Sequence, residues 1–329
     1  MEAAAVRRDC NEIGRRALSR RSRTQLTTMK RVLVLLNARA GTLLDAGAAR
    51  IVEEIETALK PRCEALDVRL LQPQQLRGAI AQAALGAHDT VVVGGGDGSL
   101  SAAAAAFAAS DKMLGVLPFG TMNLLARDLG IPRDPHAAVA ALATASPRRI
   151  DLAEINGRPF HTLSGLGFFS QMARAREEVR DHPLGRFAGV MLAWALALRR
   201  TGPFTADIVV EGRRQQVRAL AVLVTSNRFA ADWLRPRLDE GLLELHLVED
   251  EGALTKLKAS AALLTGAWRD ELGVRSITAR DITITSRRRH TSASTDGERI
   301  RERIPLRYRS LPGALTVLSV AHDDALSVK

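Results

Sequence analysis

The residues most suited to chemistry are Gly94-Gly95-Gly96-Asp97-Gly98-Ser99, which follow directly on the apolar run Thr90-Val91-Val92-Val93. Glycines let a backbone approach a ligand closely, and the free N–H groups at a helix start suit phosphate. Asp97 alone is a poor phosphate contact. It makes sense where Mg2+ stands between it and the phosphates, directly or through water. A plain strand-to-helix turn needs neither this many glycines nor the carboxylate. Two familiar phosphate loops are excluded. No G-x-x-x-x-G-K-[ST] is present, and Ser99 and Ser101 stand where the third glycine of G-x-G-x-x-G would fall.

A second polar turn, Pro118-Phe119-Gly120-Thr121-Met122-Asn123, leads into Leu124-Leu125-Ala126-Arg127. Thr121 and Asn123 read either as helix caps or as ligand contacts. Arg127 can meet a phosphate or pair with Asp128 or Asp134. Asn37 begins a further polar turn, Asn37-Ala38-Arg39-Ala40-Gly41-Thr42. Far along the chain, Asp296-Gly297-Glu298 is bracketed by Arg287-Arg288-Arg289 and by Arg299, Arg301 and Arg303. Two carboxylates around a glycine make an ordinary hairpin turn, or supply a general base while the arginines balance phosphate charge.

These turns need elements to hold them. Val91–Val93 lack polar alternation and read as a strand buried on both faces. Ala102–Ala109 form a helix that Ser99 or Ser101 can cap. Strands are expected at Arg31–Leu36, Val68–Leu71 and Leu114–Leu117, and helices at Asp45–Leu59 and Leu76–Leu85. Polar turns at the C-terminal ends of neighbouring strands make a ligand cleft. Alternating β and α elements imply a mostly parallel sheet covered by helices.

Near residue 150 the pattern changes to closely spaced short strands, with turn signals at Asn156-Gly157 and Glu211-Gly212. The strand expectations here include Ile150–Ile155, Ile277–Thr285, Ile304–Tyr308 and Leu315–Val320. This half reads as an antiparallel sandwich or barrel interrupted by helices over Phe187–Arg199 and Leu254–Ala267. The first of these helices is apolar enough to be core or the wall of a lipid cavity.

The length of 329 residues suits two domains, and 46% hydrophobic content supports real cores. Only Cys10 and Cys63 are present, which argues against a disulfide scaffold. No stretch reaches the ~18 uncharged apolar residues of a spanning helix, and the N-terminus has no apolar signal core. The formal charge is +11. Residues 1–31 hold nine Lys and Arg against three acidic residues. That tail reads as a solvated extension, an anionic-membrane contact or a nucleic-acid contact. Aromatics are only 4% and none interleave with these arginines, which weakens the nucleic-acid reading.

The block Gly94–Ser99, then Pro118–Arg127, then Asp296-Gly297-Glu298 resembles the diacylglycerol kinase catalytic-domain family, which includes sphingosine kinases and bacterial lipid kinases. The first block is shared with NAD kinases; the three together are specific. The resemblance implies an α/β nucleotide-binding domain, mostly parallel with helices on both faces, followed by a β-rich sandwich-like domain. The expected divisions are a basic extension at 1–29, an ATP-binding domain at 30–150 and a lipid-substrate domain at 151–329. It also implies ATP and Mg2+ in the cleft between the domains. Asn37, Gly94, Gly95, Gly96, Asp97, Gly98, Ser99, Thr121 and Asn123 fall on its nucleotide loops, with Asp97 serving the metal. Glu298, with Asp296 beside it, falls on its proton acceptor. A structural Mg2+ of bacterial members falls on Arg237, Glu240 and Leu242, with Glu240 standing where the family carries aspartate.

The expected activity is phosphorylation of a hydroxyl on a diacylglycerol, a related glycerolipid or a sphingoid lipid. A soluble NAD-kinase-like enzyme and a non-catalytic lipid-binding protein are the alternatives. The expected place is the cytoplasm, peripheral to the inner face of the membrane. Partners on this reading are the lipid, the membrane surface and a second copy in a homodimer, with no nucleic acid.

Overall fold

The structure, a computed structural model, describes residues 29–179, 185–230, 234–250 and 274–320. The basic tail and the expected helix at Leu254–Ala267 lie outside the described residues.

Four strands start the fold: β1 (Met29–Asn37), β2 (Cys63–Leu71), β3 (Thr90–Gly95) and β4 (Met113–Pro118). They pair in parallel in the order β4-β3-β1-β2. Val91, Val92 and Val93 are fully buried, as an unbroken β-branched run requires when both sheet faces are covered. The cover comes from α1 (Gly41–Ala46), α2 (Ala48–Leu59), α3 (Pro73–Leu85), α4 (Asp97–Phe107), α5 (Leu124–Asp128) and α6 (Pro135–Thr144). On α2, Ile51, Ile55 and Leu59 recur every four residues and are buried. The helix expected from Asp45 is split, because Gly47 takes φ +85° between α1 and α2. Residue 97, not the alanine run, begins α4. Its N-cap is Gly96 in extended conformation with no side-chain cap, so Ser99 and Ser101 lie inside the helix.

The second half adds β5 (Ser146–Ile155), β6 (Arg158–Phe160), β7 (Leu163–Gly167), β8 (Phe204–Val210), β9 (Arg213–Ser226), β10 (Leu243–Glu249), β11 (Arg275–Ala279), β12 (Asp281–Thr285), β13 (His290–Thr295), β14 (Glu298–Arg303) and β15 (Leu306–Ser319). Three hairpins turn on Asn156-Gly157, Glu211-Gly212 and Asp296-Gly297. In each, both central residues have φ between 47° and 84°, the type I′ signature. Among the described residues the strands join into one 15-stranded sheet whose main path is β14-β13-β7-β9-β8-β12-β15-β4-β3-β1-β2. Strand β15 is the joint. It runs parallel to β4 through Thr316↔Met113 and antiparallel to β12 and β5. It merges two strands expected separately.

Two helices flank this half, α7 (Phe168–Glu178) and α8 (Gly185–Arg200). The first was not expected. Ala193 and Ala197 of α8 pack with Phe168 and Ala175 of α7 over Leu220 and Phe229. So α8 serves a small core on its inner side, while Val190 stays 40% exposed.

Candidate active site

The parallel registers Leu36↔Gly94 and Gly95↔Pro118 bring Asn37, Gly95 and Pro118 to one sheet edge. The loops leaving that edge pack backbone against backbone. A β-carbon on Gly120 would lie 2.5 Å from the Gly96 Cα. One on Gly95 would lie 2.7 Å from Ser99 and 3.5 Å from the Asn37 Cβ. Absence of side chains is therefore a packing requirement as well as a way to admit phosphate.

Asp97 ties the loops together. Its Oδ1 accepts the Leu124 N–H at 3.1 Å. Oδ2 has no hydrogen-bond partner among the described residues, so half of the carboxylate stays available at the N-terminus of α4. Asn123 stands at the N-cap of α5 without a side-chain cap bond. It is 2% exposed, in the left-handed region at φ +49°, and its side chain closes on its own loop. Its Oδ1 accepts from Gly120 N–H and its Nδ2 donates to the Gly120 carbonyl, both at 2.9 Å. Asn123 shapes the loop, and Thr121 is left exposed at the tip. Asn37 similarly accepts the Arg39 N–H at 3.0 Å. Asp128 turns to Arg235, and Asp134 caps α6 by accepting from Ala137 N–H.

The β13–β14 turn reaches this edge from the other half of the chain. Asp296 is 4% exposed. Its Oδ1 accepts from Thr162 N–H at 2.9 Å and Leu163 N–H at 3.1 Å; its Oδ2 accepts from His161 N–H at 2.8 Å and Ser101 Oγ at 3.2 Å. Four donors thus engage both oxygens of the carboxylate. Glu298 differs. Its side chain is 43% exposed and its Oε1 takes Arg77 Nη2 at 2.6 Å. The same oxygen lies 2.9 Å from where a Gly98 β-carbon would sit. Glu298 is thus the accessible carboxylate at the glycine loop, and Asp296 is the buried anchor of its turn.

Behind Asp296 lies a network the sequence did not show. Arg235 is fully buried at its side chain and pairs with Asp128 at 2.7 Å. Its Nη1 donates to the His161 carbonyl. His161 is buried, with Nε2 3.5 Å from Asp296 Oδ2 and Nδ1 2.6 Å from Thr162 Oγ1. Burial pushes its pKa down, against the pull of Asp296. These residues lie far apart in the chain and match no short motif.

Glu240, expected to ligate a structural Mg2+, has both oxygens engaged by Arg228: Oε2 by the main-chain N–H at 2.9 Å and Oε1 by Nη1 at 2.7 Å. The neighbouring Asp239 pairs with Arg237 and Arg148. Among the described residues no group of three or more His, Cys, Asp or Glu could hold a metal. Arg228 thus occupies the one carboxylate among Arg237, Glu240 and Leu242. A single carboxylate such as Asp97 would be enough to hold Mg2+ together with the oxygens of a bound phosphate.

Among the described residues no helix is long and apolar enough to cross a membrane. Residues 31–155 match the family model for the diacylglycerol kinase catalytic domain, and residues 171–319 match that for the YegS C-terminal NAD kinase beta sandwich-like domain. A probable lipid kinase YegS-like of Pseudomonas aeruginosa is 34% identical over 60% of this chain and 68% of its own length. The counterpart from Pseudomonas syringae pv. tomato is 33% identical over 46% of this chain and 51% of its own. A crystal structure of a diacylglycerol kinase from Bacillus anthracis superimposes with TM-score 0.66 at 18% identity, over 90% of this chain and 100% of that one. With both halves matched in this order, this chain belongs to the YegS-like lipid kinases with a diacylglycerol kinase catalytic domain.

Proposed function

We propose that the chain transfers the γ-phosphoryl group of ATP to a hydroxyl of a glycerolipid or sphingoid lipid, working peripherally at the cytoplasmic face of a membrane. In this reading residues 30–150 hold the nucleotide and residues 151–329 the lipid. The observation that carries it is the position of Glu298, an accessible carboxylate against Gly98 at the N-terminus of α4. The N–H groups of that N-terminus and the glycine loop receive the phosphates. Asp97 Oδ2 holds Mg2+ directly or through water, and the metal neutralises phosphate charge when bound. The lipid hydroxyl gives its proton to Glu298 as its oxygen forms a bond to the γ-phosphorus. The bond from that phosphorus to the β–γ bridging oxygen breaks, and ADP leaves. Arg77 Nη2 donates to Glu298 Oε1 and aims the carboxylate. Asp296, with both oxygens engaged by four donors, anchors the turn that carries Glu298.

Phosphate transfer from labelled ATP tests this, run against diacylglycerol, sphingoid bases, ceramide, phosphatidylglycerol and NAD. Label in a lipid product supports the proposal. Label in NAD alone, or in none of them, sinks it.

A further inference from the structure

The β13–β14 hairpin segregates its charges by face. Residues in a strand alternate sides, so Glu298, Ile300 and Glu302 share one face and Arg299, Arg301 and Arg303 the other. Both acidic residues are already matched, Glu298 with Arg77 at 2.6 Å and Glu302 with Arg158 at 3.5 Å. Ile300 packs on the second core. The arginines are exposed, and across from them stand Ser294, Ser292 and His290. Arg287, Arg288 and Arg289 extend the same end, where Ile304 N–H donates to the Arg289 carbonyl at 3.0 Å. Among the described residues none of these six arginines pairs with a carboxylate.

Charge on an edge strand commonly guards against edge-to-edge pairing. Either sign would do that, and mixed signs would do it as well. A strip of one sign with the acidic residues sorted to the opposite face needs another reason. The strip begins at Arg299, next to Glu298 in the chain and on the other face of the strand, and Arg303 lies roughly 17 Å from Glu298 at strand spacing. An anionic surface is the complementary partner. Nucleic acid is the poorer match, because no aromatic side chain lies among these arginines to stack a base.

We infer that the arginine face of the β13–β14 hairpin is the surface on which this protein docks to anionic lipid bilayers, setting Glu298 at the bilayer edge. The inference rests on the lipid-kinase reading above, and it names the membrane-facing side of that site.

The test uses the full chain and phosphatidylglycerol-rich vesicles, with phosphatidylcholine vesicles as the neutral control. Sedimentation is measured at low and high salt for the wild type, for the variant carrying R288Q, R289Q, R301Q and R303Q, and for the same four positions changed to Lys. The Gln set should bind anionic vesicles about tenfold or more weakly and lose most of its salt dependence, while the Lys set keeps binding within about twofold. Thermal melts confirm that both sets fold. No turnover enters this reading, so an enzyme that phosphorylates no lipid still leaves the docking result standing. Equal vesicle binding by the Gln set and the wild type would overturn the inference. So would displacement from vesicles by an oligonucleotide whose binding needs the same four arginines, since that marks a nucleic-acid surface.

Discussion

Asp296 and Glu298 are separated by one glycine and occupy opposite chemical environments. Asp296 is closed in by three backbone N–H groups and a hydroxyl, whereas Glu298 is half-exposed against Gly98 with one arginine beside it. Substituting each to its amide should separate the roles. Glu298→Gln should lower kcat by ~10²–10⁴ with little change in the KM for ATP or in the melt. Asp296→Asn turns an NH2 group toward N–H donors and should cost roughly 1–3 kcal/mol of stability as well as activity. A dead Asp296→Asn with a normal melt, beside an active Glu298→Gln, would move the base to Asp296.

Two glycines of the site fail differently when filled. Gly98→Ala would meet only the movable end of Glu298, at 2.9 Å, so kcat should fall while the melting temperature holds. Gly120→Ala would meet the Gly96 backbone at 2.5 Å and Asn123 Oδ1 at 2.8 Å, so nucleotide affinity and stability should fall together. Kinetics paired with thermal melts and an ATP titration check both.

Asp97→Asn keeps an acceptor for Leu124 N–H and removes the charge. It should abolish turnover at ordinary Mg2+ while leaving the melt near wild type. Asp97→Ala loses the Leu124 contact too, about 0.5–1.5 kcal/mol. Near-normal rates of Asp97→Asn at saturating Mg2+ would remove Asp97 from the phosphate–metal site.

His161 makes stability depend on pH. Its pKa is lowered in the fold, mainly by burial. Below its ordinary pKa the unfolded chain binds a proton that the folded chain refuses. The stability is therefore fully present above that value and is lost as pH falls, by up to about 1.4 kcal/mol per pH unit. Melts from pH 7.5 to 5 should show the decline, and His161→Gln should flatten it. An unchanged slope in His161→Gln would assign the decline to other groups.

Glu240 is held by Arg228, so a chelator should leave the melting temperature of the wild type unchanged. Arg228→Ala should lower it, because Glu240, 9% exposed at its side chain, is left with an unmatched charge. A wild-type melt that drops with EDTA and recovers with Mg2+ would return a metal to Glu240.

Features set by neighbours in the chain were legible in the sequence alone. Val91–Val93 leading into glycines had to be a buried strand ending in a tight loop, and three Asx- or Glu-Gly pairs read as turns. These follow from backbone sterics and short-range hydrophobic pattern. The stripe Phe168, Met172, Ala175 and Val179 would have revealed α7 as well, since it recurs at helical spacing. What only the tertiary structure decided depends on partners far away. The anchoring of Asp296 comes from Ser101, 195 residues back, and from the N–H groups at residues 161–163. The pairing of Glu240 with Arg228 needs two loops to meet. The passage of β15 into the first sheet beside β4 joins residues about 200 apart in sequence, a pairing that loop-closure entropy leaves open until the whole sheet forms. Residue types put two carboxylates in one turn. Which one stays accessible was decided by which one the fold surrounded with donors.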